Sequence, residues 1–178
     1  MANEKLERKF LAHYIDTSFG DGTANYIRLG KELEEYNEEL NPDVEVTKNI
    51  LGEQNVNHNG YEVQSEVEPY YAREGDLLFT QLCKIANERL TGDDCKTTKL
   101  DVLVDKTGAV VWAYREECYV VPTQVGGDTS GVQIPFTVYN CGNRTAGTFN
   151  TTTKEFTPTT AVSGGKTGAT GGNTGATG

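Results

Sequence analysis

Apolar and polar positions along this chain follow two different periods, and the places where one gives way to the other mark out its elements. Phe10–Ile15 and Asn25–Leu29 read as short strands, separated by the turn-forming run Asp16–Thr23 (DTSFGDGT) and closed by Gly30. Tyr61–Pro69 alternates cleanly, with Tyr61, Val63, Ser65 and Val67 on one face and Glu62, Gln64, Glu66 and Glu68 on the other. That is the pattern of a half-buried strand. From Asp76 to about Leu90 the period becomes helical: Leu78, Leu82, Ile85, Ala86 and Leu90 form one stripe, with Phe79 and Cys83 beside it. Asp76 sits where an N-cap belongs, and Gly92 suits the position just past the end. The packing face of this helix is Leu78, Leu82, Ile85 and Leu90. A lone amphipathic helix cannot bury its own stripe, so it must lie on a sheet.

Strands resume after the helix. Lys99–Asp105 sets Leu100, Val102 and Val104 against Lys99, Asp101 and Asp105, and Asp105–Gly108 has the chemistry of a tight hairpin turn. Val110–Val121 reads as a long strand and Val132–Asn140 as another, part of which Pro135 demotes to an edge or a bulge. Arg144–Phe156 reads as a last hairpin. The stretch Lys31–Asp43 shows neither period. Its apolar residues Leu33, Tyr36 and Leu40 are sparse, and Asn41-Pro42 breaks any helix, so it reads as a long, partly extended excursion returning through a strand at Val44–Leu51 that Gly52 ends. From Thr157 large apolar residues disappear, and GKTGATG is followed by GNTGATG. Such a repeat cannot pack a core and is expected to be a flexible tail. The division expected is therefore one domain over residues 1–156 and a Gly/Thr-rich tail over 157–178. The fold class is mainly β (α+β), with one flanking helix.

Composition narrows the function. The chain has 178 residues and a formal net charge of −10, and the acid is unevenly placed. Residues 1–70 hold 15 acids and 6 bases, and Glu32–Val46 holds seven acids and no base. Such a surface repels phosphate, which argues against ordinary nucleic-acid binding. No apolar run approaches the ~18 residues of a membrane span, and MANEKLERKF does not look like a secretory leader. Cys83, Cys95, Cys118 and Cys141 lack metal-ligand spacing and are expected to be free, buried thiols. The sequons at Asn143 and Asn150 are then incidental.

No catalytic constellation stands out. Gly164-Gly-Lys-Thr167 resembles the end of a phosphate loop, but no strand precedes it and no helix can follow it. Asn41-x-Asp43-x-Glu45 hints at a calcium loop, but Val46 and Gly52 occupy the positions that need glycine and glutamate. His13 and His58 have no partner near them in sequence. No cofactor, metal or enzymatic activity is implied.

The ordered set of pieces, from Tyr26-IRLGKELEEYNEELNPDVEVTKNILGE-Glu53 through Gly60-YEVQSEVEPYYAREGD-Asp76, the helix and then TKLDVLVD, resembles the major tail (tail-tube) proteins of long-tailed phages and prophages of Gram-positive bacteria. The resemblance covers about residues 8–150 and rests on structural motifs rather than catalytic ones. It implies a β-sandwich whose subunits form hexameric rings, one sheet of each joining a barrel around a lumen, with rings stacking into a tube for DNA delivery. The implied partners are further copies of the chain, a tape-measure protein inside the tube, and tail-terminator and distal-tail or baseplate proteins at its ends. On this resemblance DNA would pass through without specific binding, no membrane would be involved, and the protein would reside in the virion tail after synthesis in the host cytoplasm. An inner tube of a contractile tail or injection system, and a monomeric β-rich enzyme or adhesin-like domain, stand as alternatives.

The resemblance also places residues. The excursion, with Glu34, Glu35, Tyr36, Glu38, Glu39, Leu40, Pro42 and Asp43, is expected to reach a neighbouring subunit or ring, and deleting Glu34–Asp43 is expected to leave the domain folded but to block tube growth. An acidic lumen would let DNA slide. Asp101 and Asp105 are the favoured lumen residues, with Lys99 as a base that a carboxylate must neutralise. The face carrying Glu62, Glu66 and Glu68 is the second candidate.

Overall fold

The computed structural model describes residues 5–31 and 33–159. Among them the chain forms twelve strands and one α-helix: β1 Leu11–Asp16, β2 Tyr26–Arg28, β3 Pro42–Lys48, β4 Gln54–Tyr61, β5 Gln64–Val67, α1 Leu77–Glu88, β6 Lys96–Val104, β7 Val110–Pro122, β8 Gly126–Asp128, β9 Gly131–Gln133, β10 Phe136–Asn140, β11 Thr145–Phe149 and β12 Phe156–Pro158. The fold is mainly β, as the periodicities predict. No helix among the described residues is long and apolar enough to cross a membrane.

The frame is set by β7. Thirteen residues of strand extend about 40 Å, more than any single neighbour here can match. One edge of β7 pairs with β6 along nearly its whole length, from Val104↔Val110 to Lys96↔Tyr119. The other edge is shared: Ala113–Arg115 pairs with β11 and Cys118–Pro122 with β10. The result is one branched antiparallel sheet of eight strands, in which β12-β11-β7-β6-β1-β2 forms one path and β10 carries β5 off the far end of β7. Glu116 holds the branch point. Its carboxylate accepts from Asn140 Nδ2 at 3.0 Å and from the Gly142 amide at 2.8 Å, just where β10 leaves and β11 begins.

Each face of this sheet buries its own core. Ala12, Tyr14, Tyr26, Leu100, Val102, Ala113 and Phe149 pack on one side. On the other, Ile15, Cys118, Val120, Phe136, Val138 and Val67 meet Leu78 and Leu82 of α1. Strand β6 is therefore covered on both faces. The charged residues that alternate with Leu100 and Val102 are buried too, contrary to the expectation of a polar, open face.

The helix starts as expected, with Asp76 Oδ1 accepting from the Leu78 and Phe79 amides at 2.9 and 3.2 Å. It ends earlier. Arg89 takes the left-handed cap at φ 56° and the Leu90 amide closes onto Ile85 O, so Leu90 lies beyond α1, half-buried, while Leu78, Leu82 and Ile85 hold the packing face.

The Tyr61–Pro69 period is divided between two elements: Tyr61 ends β4, and only Gln64–Val67 forms β5. Strand β4 itself gave no signal, because QNVNHNG is rich in asparagine, a weak strand former. Strand β12 runs to Pro158, two residues past the expected domain limit, the Thr159 amide donates to Ala146 O at 2.9 Å, and residues 160–178 of the expected tail lie outside the described residues. Cys95 and Cys118 are buried, the latter with burial first among the causes that push its thiol up to about 12. Cys141 is exposed, against expectation, because it sits in the short turn between β10 and β11.

Replacing Asp76 by alanine removes both amide contacts and should lower unfolding stability by about 1 kcal/mol in a urea titration, with the slope unchanged.

Candidate functional site

Two structures attached to the sheet stand out: a strap over one face, and a ribbon that leaves the domain at the end of the strap. The strap is the stretch 33–41. It was expected to lack anchors, and the structure corrects this. Tyr36 is buried, its ring 4.4 Å from the His13 ring centroid, and Leu33 packs against the same core. Arg8 Nη2 donates to Tyr36 O at 3.0 Å. At the far end Glu39 and Gln64 exchange backbone hydrogen bonds at 2.8 and 3.1 Å, which ties the strap to the edge of β5.

Beneath the strap lies a buried charge cluster. His13 on β1 and Lys99 and Asp101 on β6 point to the same side as Ile15, and Glu116 on β7 joins them through the register Lys99↔Glu116. His13 Nδ1 lies 2.7 Å from Asp101 Oδ1. Lys99 Nζ reaches Asp101 Oδ2 at 3.4 Å and also contacts Glu38 of the strap. Arg144, from the β10–β11 turn, brings Nη2 to 3.2 Å from Asp101 Oδ2, with its guanidinium over the Tyr114 ring. Burial pushes the Asp101 carboxyl up. The hydrogen bond from His13 and the charges of Lys99, His13 and Arg144 outweigh that push and hold it below the ordinary range. Burial lowers Lys99, and Asp101 only partly offsets it.

These contacts bear on Lys99, Asp101 and Asp105, the residues expected from sequence to face a lumen. Lys99 is 2% exposed and Asp101 1%, so neither side chain can face a channel from this subunit. They bind the strap to the sheet instead. Asp105 is spent on its own turn: its Oδ1 accepts from the Thr107 amide and hydroxyl at 2.8 and 2.6 Å and from the Ala109 amide at 3.0 Å. Glu62, Glu66 and Glu68 are exposed. With Glu35 and Glu39, the last two line a shallow cleft that contains no basic side chain. Glu34 and Leu40 are exposed as well, while Glu38 is drawn inward. The deletion of Glu34–Asp43, expected to leave the domain folded, would remove the buried Tyr36 and the Glu38 that meets Lys99.

The ribbon is β3–β4, paired from Pro42↔Tyr61 to Lys48↔Gln54 with an irregularity at Asp43/Val44. The pairs Val46↔Val56 and Val44↔His58 set Val44, Val46 and Val56 on one face, and Glu45, Thr47, Asn55 and Asn57 on the other. All three valines are exposed. The ribbon forms a two-stranded sheet of its own. At its tip Asn49 Oδ1 accepts from the Leu51 and Glu53 amides at 3.0 Å each, and Gly52 adopts φ 80°, where a side chain would strain the turn. This rigid tip displays Ile50 fully exposed and Leu51 77% exposed. Pro42 and Asp43, placed in the excursion by sequence, open β3.

No protein-family model matches the chain, and no curated protein matches it. Several solved structures match the chain, and two of them illustrate the shared fold. One is a chain of the sheath/tube terminator structure of the PVC extracellular contractile injection system in its extended state, with TM-score 0.51 and 8% identity, covering 83% of this chain and 100% of the other. The second is a chain of the same system's sheath-tube complex in the extended state, with TM-score 0.51 and 10% identity, covering 82% and 93%. At these identities the likeness is one of fold.

Asp101→Asn should destabilise the domain by about 3–5 kcal/mol at neutral pH, because Lys99 and Arg144 lose their shared carboxylate. The folded carboxyl is depressed, so its contribution is present above the unfolded value and lost as pH falls through the folded one. Thermal melts should show the gap between Asp101→Asn and wild type largest near neutrality and closing in acid. Replacing 44–59 by Asn-Gly, in contrast, should leave the melting temperature within a few degrees of wild type.

Proposed function

We propose that this chain is a structural subunit of a phage-type tail tube, stacking as hexameric rings around a channel for DNA, with no enzymatic role. The observation that carries this reading is the ribbon. A two-stranded sheet with one apolar face is marginal alone in water, and among the described residues nothing buries Val44, Val46, Val56, Ile50 or Leu51. A second surface belongs there, and head-to-tail contacts between identical subunits build rings when the rotation closes. The fold shared with components of a tube-bearing injection system supports the same reading.

The partners proposed are other copies of the chain, a tape-measure protein within the tube, and terminator and distal-tail or baseplate proteins at its ends. The long-tailed phages of Gram-positive bacteria are the setting that the sequence motifs favour. The fold neighbours favour a second setting, the inner tube of a contractile system, which would add a sheath around the same subunit. With Lys99 and Asp101 buried, the acidic face proposed for the lumen is Glu62, Glu66 and Glu68, with Glu35 and Glu39 beside it. A carboxylate wall offers passing phosphates no counterion to displace.

Sedimentation velocity tests the assembly. Wild type should form large species as its concentration rises, and the protein with 44–59 replaced by Asn-Gly should remain a folded monomer. A wild type that stays monomeric at millimolar concentration across a range of salt would contradict the reading. In reconstituted particles, Glu66→Lys with Glu68→Lys should leave tubes intact but slow DNA ejection, most at low ionic strength where screening is weak.

A further inference from the structure

The ribbon tip is built to enter something. Its turn is fixed by four hydrogen bonds centred on Asn49: the Asn49 amide to Glu53 O, the Gly52 amide to Asn49 O, and the Leu51 and Glu53 amides to Asn49 Oδ1. Asn49 Nδ2 also donates to the Glu53 carboxylate at 2.6 Å. The tip is therefore ordered before any partner arrives, and an ordered binding element loses little conformational freedom on docking. It presents two large aliphatic side chains with a carboxylate beside them, and seven register pairs hold it about 20 Å from the base of the ribbon.

The same chain carries a surface of matching chemistry. Just past the end of α1, Leu90 and Cys95 face Val121 at the end of β7, and the space between them opens as a groove of about 410 Å³ that continues toward Tyr139. Val121, Val125 and Tyr139 are each more than a third exposed although they are apolar or aromatic. Arg89, held in its left-handed cap conformation, stands on the rim. The groove thus offers aliphatic side chains, Ile85, Leu90, Val121 and Val125, among the polar Thr91, Thr123 and Gln124, with one cation at the edge, while the tip offers two aliphatic side chains with one anion at the edge.

Resting on the tube reading above, we infer that the groove at the end of α1 receives the Ile50–Leu51 tip of a second copy of this chain, with Glu53 of the tip set against Arg89 of the rim. Each subunit is then both donor and acceptor, the condition for a contact that propagates rather than closing on a pair. The apolar insertion supplies the attraction, and the Glu53–Arg89 pair fixes orientation, which is the usual role of a charge pair at an interface rim.

Charge exchange in the full-length protein tests this inference. Glu53→Arg and Arg89→Glu should each weaken self-association at least about tenfold in sedimentation velocity, and the two together in one chain should return to within about threefold of wild type. Ile50→Asp and, on the groove side, Val125→Asp should each abolish large species. Both residues are exposed in the isolated subunit, so melting temperatures should stay unchanged. If wild type assembles and the ribbon replacement blocks it, but Val125→Asp and the single charge reversals assemble normally, the ribbon docks elsewhere or on another protein and this inference is overturned while the tube reading stands. Failure of the double reversal to recover would equally overturn it. A wild type that never associates overturns the tube reading itself.

Discussion

A carboxylate sealed beneath the strap sets the terms for the rest of the molecule. Asp101 is taken out of water in the middle of a sheet that is apolar on either side, and isolating one charge in that way costs several kcal/mol. It survives because His13, Lys99 and Arg144 converge on it from β1, β6 and the β10–β11 turn. Glu38 and Glu116 balance the added bases, giving three carboxylates against one lysine, one arginine and one imidazole. A well-packed apolar cluster in the same space could be as stable. What the charges add is placement: the strap can lie in only one register if Glu38 is to meet Lys99, and that register delivers Glu39 to the edge of β5 and Pro42 to the start of the ribbon.

Seen this way, the domain is a rigid base that aims a projecting element. The branched sheet and α1 account for nearly all the buried apolar surface, and the ribbon for none of it. A short free ribbon of this kind is unstable and prone to pair indiscriminately unless its own partner is at hand. Here the outer face of the ribbon is polar and its tip is tightly hydrogen-bonded, so the exposed apolar area is confined to one face and one end. That confinement limits general aggregation and leaves one defined surface for the neighbour proposed above.

Much of this was legible in the amino-acid pattern. The helix, its Asp76 cap, the Asp105–Gly108 turn and the strands β1, β6, β7 and β10 follow from period and turn chemistry, because in each the side chains facing the core are conventionally apolar. The pattern failed where polar residues do interior work. Lys99 and Asp101 read as a solvent face because alternation of charge with leucine and valine ordinarily means exposure, and nothing local shows that His13 and Arg144, far away in sequence, will meet them. Tyr36 read as a stray aromatic because its pocket is assembled from β1 and Arg8. Strand β4 was missed because its asparagines have low strand propensity and are held by pairing with β3. The apolar groove left no trace, since Leu90, Val121 and Tyr139 come from three separate elements.

The central claim is that this subunit exists to polymerise into a hollow tube. Negative-stain electron microscopy of the purified, full-length protein at high concentration tests it most directly. The account predicts rings and hollow tubes of uniform width with regular axial repeats, absent when 44–59 is replaced by Asn-Gly. Fields of dispersed monomers under every salt and concentration tried, or tubes that form equally well without the ribbon, would contradict it.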